Sequence, residues 1–206
     1  MPPAISLQRL SFSYRTQAVL QDITLEIPHQ SLLALIGPNG SGKTTLLRIL
    51  AGLLALMAGR LRLLDNEGQP LTDERRDRTL HFVGHQDMIR SQLRVRETLR
   101  FHAALLGAPA RAVDAALEAW GLAPLADISG ALLSAGQRRR LSLARLSLQP
   151  RSLWLLDEPL VALDAPSRVR LNDACTKHLA GGGIIVAASH EAFLAGSRTL
   201  HLGAGA

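Results

Sequence analysis

The sequence predicts an α/β fold in which a mainly parallel sheet carries helices on both faces. Two observations predict it. Four short apolar runs, Ser31–Ile36, Leu80–Val83, Leu153–Leu156 and Ile184–Ala188, have the character of strands buried on both sides. Stretches with helical spacing separate them, and strands alternating with helices close into a parallel sheet through crossovers. A third observation adds an edge. Alternation over Ile5–Leu10 and Ile23–Ile27 reads as two half-buried strands, which suits a small antiparallel sheet beside the main one.

The helices follow in order. Leu46, Leu47, Ile49, Leu50 and Leu53 recur at helical spacing after the first apolar run, and Val169, Leu171, Cys175 and Leu179 do so before the triple glycine Gly181–Gly183. Between residues 86 and 133 no strand signal occurs. Two helices are expected there, Val95–Leu106 and Arg111–Trp120, joined by Gly107-Ala108-Pro109, and they form a small helical subdomain set into the α/β core. A last strand is expected over Arg198–Leu202, close to the end of the chain, with no regulatory tail after it.

Composition narrows the function classes. At 206 residues, 47% of them hydrophobic, the chain suits one domain with a full core. Cys175 is the sole cysteine, so no intrachain disulfide forms and a reducing, cytosolic setting follows. The longest apolar run, residues 49–59, falls well short of the roughly 20 residues that span a bilayer. The N-terminus has no basic segment followed by an apolar stretch, so no secretory leader is expected. A net charge of +6 permits nucleic acid or an anionic membrane as neighbour, but aromatic residues are only 3% and leave little to stack on bases. A solvated basic face, or proximity to lipid, is the better reading.

Chemistry enters at Gly37-Pro38-Asn39-Gly40-Ser41-Gly42-Lys43-Thr44-Thr45, a glycine-rich stretch between a buried strand and a helix. Glycines at 37, 40 and 42 let backbone N–H groups turn inward around phosphates, and the helix beginning near Lys43 adds its positive end. Lys43 is placed to neutralise the β and γ phosphates of a nucleotide. The Thr44 hydroxyl is a hard oxygen donor for Mg²⁺. A second stretch, Ser152–Pro159, is an apolar strand ending in Asp157 and Glu158. Adjacent side chains on a strand point to opposite sides, so the two acids take different tasks. Asp157 holds Mg²⁺ through its water shell, and Glu158 orients or deprotonates the attacking water. His81 and His85 suggest no metal site, since no further ligand clusters with them.

The phosphate loop, the stretch Leu133-Ser134-Ala135-Gly136-Gln137 and the strand ending in Asp157-Glu158 occur in the order that resembles the ATP-binding cassette (ABC) ATPases, over essentially the whole chain. The resemblance implies a P-loop NTPase core, residues 1–85 and 149–206, with residues 86–148 as the helical subdomain that includes the signature helix. It implies ATP and Mg²⁺ as ligands and a homodimer in which Ser134, Ala135, Gly136 and Gln137 touch the γ phosphate on the partner's phosphate loop. Ser134 is suited to cap its helix, which leaves N–H groups facing an anion. The family usually has glycine where this chain has Ala135, and a helical backbone there tolerates alanine. A glycine-acid turn usual before the phosphate-loop strand is replaced by His29-Gln30.

By the same resemblance Tyr14 stacks on adenine, Gln86 reaches the metal and water, Asp164 lies in the loop that crosses to the partner, and His190 contacts the γ phosphate. Separate integral membrane subunits dock near residues 86–98, around Met88, Ile89 and Leu93. The stretches at 84–86, 133–140 and 153–159 resemble in particular the haem-exporter ATPases of the bacterial cytochrome c maturation system, which implies a peripheral position at the cytoplasmic face of the inner membrane. Two alternatives stay open: an ATPase subunit of another small-substrate transporter, and a soluble cassette protein acting on nucleic acid or ribosomes.

Overall fold

The computed structural model describes residues 4–65, 68–72, 75–76, 78–85, 89–189 and 196–203. Two sheets form the frame. β1 (Ile5–Tyr14), β2 (Gln17–Ile27) and β4 (Ala58–Leu63) make an antiparallel sheet in the order β2-β1-β4. β3 (Leu32–Ile36), β5 (Leu80–Val83), β6 (Leu153–Asp157), β7 (Ile184–Ala188) and β8 (Arg198–His201) make a parallel sheet in the order β5-β6-β7-β3-β8. The edge sheet therefore has a third strand that the sequence reading left out. In β4, Leu61 and Leu63 alternate with Arg60 and Arg62, but Gly59 at φ 90° and a short apolar content mask the pattern.

Alternation along each central strand supplies two cores from one sheet. Leu33, Leu35, Leu153, Leu155, Ile184 and Val186 pack with β1 and with α1 (Lys43–Leu50). Ala34, Trp154, Leu156, Ile185 and Ala187 pack on the opposite face against α2 (Val95–Leu106), α3 (Arg111–Ala119), α4 (Ala135–Ala144) and α5 (Ala165–Ala180). Trp120, which ends α3, is 1% exposed, and its indole N–H donates to Ser147 Oγ at 2.9 Å, so a large ring is buried without stranding its polar atom.

Two expected helix faces need correction. α1 stops at Leu50 because the chain turns at Gly52, φ 77°, and Leu53 lies 62% exposed outside the helix. On α5, Leu171 and Cys175 face inward whereas Val169 is 58% exposed. Two residues along a helix is about 200° of rotation, so Val169 cannot share the face of Leu171. Burial pushes the Cys175 thiol up to about 12, which makes it a packing group. Among the described residues no helix is long and apolar enough to cross a membrane.

Candidate active site

The phosphate loop leaves the end of β3 and runs directly into α1. Gly42 precedes the helix at φ 96°, a left-handed conformation that a side chain strains. A Cβ there would also stand 2.7 Å from Leu20 Cδ2, so the loop closes tightly against β2. Lys43 is 7% exposed, and its ammonium donates to the carbonyls of Gly37 at 2.7 Å and Pro38 at 3.1 Å. The loop thus curls around a cation. No acidic residue lies in the first turn of α1, which leaves its positive end open to an anion.

Thr44 Oγ1 donates to Asp157, with Oδ2 at 2.9 Å and Oδ1 at 3.1 Å. Residues 113 apart in sequence are therefore joined at the mouth of the loop. A hydroxyl and a carboxylate at the mouth of this loop are hard oxygen donors of the kind that would suit Mg²⁺. Asp157 is 2% exposed and ends β6.

Glu158 is where the expected geometry needs correction. It lies outside the strand, at φ 49°, so strand alternation does not set its direction relative to Asp157 and a left-handed backbone does. Such a backbone costs about 1–2 kcal/mol for a residue other than glycine. It is held by a hydrogen bond from the Glu158 N–H to the Ala188 carbonyl at the end of β7, 3.0 Å long.

The signature stretch forms a reciprocal cap. Ser134 Oγ accepts from the Gln137 N–H at 3.2 Å, while Gln137 Oε1 accepts from the Ser134 N–H at 2.8 Å. Ala135 opens α4 with an ordinary helical backbone, so alanine is accommodated where the resembling family usually has glycine. Gly136 is different: a Cβ there would meet the Ala162 carbonyl at 2.7 Å. Ser134 and Ala135 are exposed. Among the described residues no hydrogen bond joins this stretch to Lys43, Thr44 or Asp157.

The other predicted residues are placed as follows. Tyr14 ends β1, 44% exposed, edge-on to Phe12 with ring centroids 4.9 Å apart. Its hairpin borders the phosphate loop through Val19 and Leu20. Asp164 caps α5, its Oδ1 accepting from the Ser167 N–H at 3.0 Å, and hydrogen bonds from the Ser167 side chain and backbone hold its carboxyl below the usual range. Gln86, Met88 and His190 lie outside the described residues. His81 is inside β5 and bonds the Gln149 carbonyl at 2.8 Å, and among the described residues no cluster of three metal-binding side chains occurs.

A cavity of about 1030 Å³ opens at the other end of the sheet, between Ile5, Leu153, Ile184, Arg78 and His178. It includes no phosphate-loop residue.

Sequence reading missed Arg139. Of the three arginines that follow Gln137, it alone is buried, 3% exposed, and its guanidinium donates to the carbonyls of Asp157 at 2.6 Å, Glu158 at 2.9 Å and Gly84 at 2.9 Å. The available signal was helical spacing: Arg139, Ser142 and Leu143 fall at i, i+3 and i+4 on the buried face of α4.

Comparison with known proteins identifies the family. Residues 20–161 match the ABC transporter family. The chain is 48% identical over 177 residues to a cytochrome c biogenesis ATP-binding export protein, CcmA, of Paramagnetospirillum magneticum, covering 82% of this chain and 80% of that one. It is 43% identical to the protein of the same name from Rhodopseudomonas palustris, covering 91% and 92%. Among solved structures, an ATP-binding subunit of an ABC transporter superposes with a TM-score of 0.79 at 26% identity, over 91% of this chain and 79% of that one. With the phosphate cradle and the acid pair in place and the match extending over most of its length, this chain belongs to the ABC transporter family as an ATP-hydrolysing subunit.

Proposed function

We propose that the chain is the ATPase of a haem exporter that serves the maturation of c-type cytochromes. The identity of 43% across nine-tenths of a CcmA protein supports the transport assignment. The observation that carries the chemistry is the Thr44–Asp157 contact at the mouth of a loop already wrapped around Lys43.

In this reading ATP lies with its phosphates in the cradle of residues 37–45 and its adenine on Tyr14. Thr44 and Asp157, with Gln86 reaching in, would hold Mg²⁺, which would neutralise charge on the phosphates. Lys43 and His190 stabilise charge that builds on the γ phosphoryl group, and Glu158 places the attacking water in line with it. Two chains close head to tail, so that Ser134–Gln137 of each cover the nucleotide of the other and Asp164 lies at the crossing. Opening after hydrolysis moves separate membrane subunits docked near residues 86–98, at the cytoplasmic face of the inner membrane.

The test is a pull-down of tagged Glu158→Gln protein from solubilised membranes in Mg-ATP, with c-type cytochromes measured in cells carrying only that variant. Recovery of haem-system membrane subunits together with lost cytochromes is expected. A different permease with cytochromes intact would remove the haem assignment and leave the ATPase.

A further inference from the structure

We propose that Arg139 is a positioning residue that couples the signature helix α4 to the backbone of Asp157 and Glu158, so that engagement at one nucleotide sets the hydrolytic geometry at the other. The inference rests on the reading of Glu158 as the residue that places water.

Burying a guanidinium is costly unless hydrogen bonds replace its water. Arg138 and Arg140 avoid most of that cost at the half-buried margin, where they donate to the carbonyls of Leu133 and Gly121. Arg139 instead enters the interior and binds the carbonyls of both acids at the end of β6. Its third carbonyl, Gly84, lies two residues before Gln86. Three carbonyls from two chain segments converge on one planar cation, a task that suits the forked guanidinium and not a single ammonium.

What is held in this way is strained. Glu158 sits in a left-handed backbone, tied on its N–H side to Ala188 and on its C=O side to Arg139 and to the Val161 N–H at 3.3 Å. A strained residue persists only where its surroundings over-determine it, and Arg139 supplies part of that determination. The other end of the lever is near. Arg139 is five residues from Ser134, about 7.5 Å along the helix, so a shift of the exposed cap reaches the guanidinium within a turn and a half. Gly136, pressed on the Ala162 carbonyl, ties the same helix to the loop that follows Glu158. The helix end that meets the partner's nucleotide is thereby connected to the residue acting on the chain's own.

The test compares Arg139→Lys with Glu158→Gln and wild type in the full chain, reading kcat, the Hill coefficient for ATP, the thermal midpoint and affinity for a trinitrophenyl-ATP probe. Arg139→Lys is expected to keep probe affinity within about threefold and lower kcat by roughly 10- to 100-fold, as loss of positioning does. Its Hill coefficient should fall toward one. A kcat within twofold of wild type, beside an inactive Glu158→Gln protein, would overturn the proposal while leaving the base assignment standing. An active Glu158→Gln protein would remove the base assignment itself.

Should Arg139→Lys not fold, hydrogen exchange at the Glu158 and Val161 amides decides. Mg-ATP should slow both about tenfold in wild type and leave them unchanged in Ser134→Arg. Equal behaviour of the two proteins would refute the coupling.

Discussion

Residues 37–45 and residues 133–137 both present backbone N–H groups at the start of a helix, yet they are finished to different degrees. The phosphate loop is complete within one chain: Lys43 is buried in it, Gly42 is pressed on β2, and Thr44 meets the carboxylate of Asp157. The signature stretch is capped, and it is exposed at Ser134 and Ala135 while Leu133 is buried, Gly136 is pressed on Ala162 and, deeper, Arg139 reaches β6. The difference is the one expected if, as proposed, the first is a binding site and the second half of an interface. A preorganised cradle binds without a partner, whereas an exposed, capped helix end with no cradle around it needs another chain to bring its ligand.

Breaking the enclosed side produces the largest effects. Glu158→Gln is expected to lower the rate of phosphate release by about 10²- to 10⁴-fold, the usual contribution of general base catalysis, with nucleotide affinity retained in a fluorescence titration. Lys43→Ala removes a charged donor to phosphate worth about 1.5–3 kcal/mol, so ATP affinity should fall by roughly 10- to 100-fold in the isolated chain.

The cradle also depends on the sheet that carries Asp157, and that sheet contains a pH-sensitive member. Burial lowers His81 to about 4, so the folded chain keeps it neutral while the unfolded chain protonates near 6.5. Stability attached to His81 is therefore full above pH 6.5 and is lost as the pH falls toward 4. Urea unfolding should give about 2 kcal/mol less stability from this group at pH 5 than at pH 7, and His81→Asn should flatten that slope. The smallest effect belongs to the exposed side. Ser134→Ala deletes a cap and should lower stability by about 1 kcal/mol by the same assay, without altering the single chain's affinity for ATP.

Much of this was legible in the sequence because the relevant signals are local. The phosphate loop, the buried strands β3, β6 and β7 and the Ser134 cap each follow from residues within a few positions of one another. What escaped depends on distant partners. Three adjacent arginines read alike until the fold turns Arg139 toward β6. The left-handed backbone of Glu158 follows from support by Ala188, 30 positions later in the chain. β4 was hidden by its weak apolar content, and it is recognisable only through its pairing with β1.

The central claim is that one chain carries two unlike halves of a nucleotide site. Sedimentation velocity of Glu158→Gln protein in Mg-ATP tests it most directly, beside the same protein carrying Ser134→Arg. The first should sediment at twice the chain mass of 22.2 kDa. The second should bind ATP equally well and stay at the mass of one chain. Equal dimerisation of both proteins would contradict the account, because the exposed helix end would then have no part in holding the partner's nucleotide.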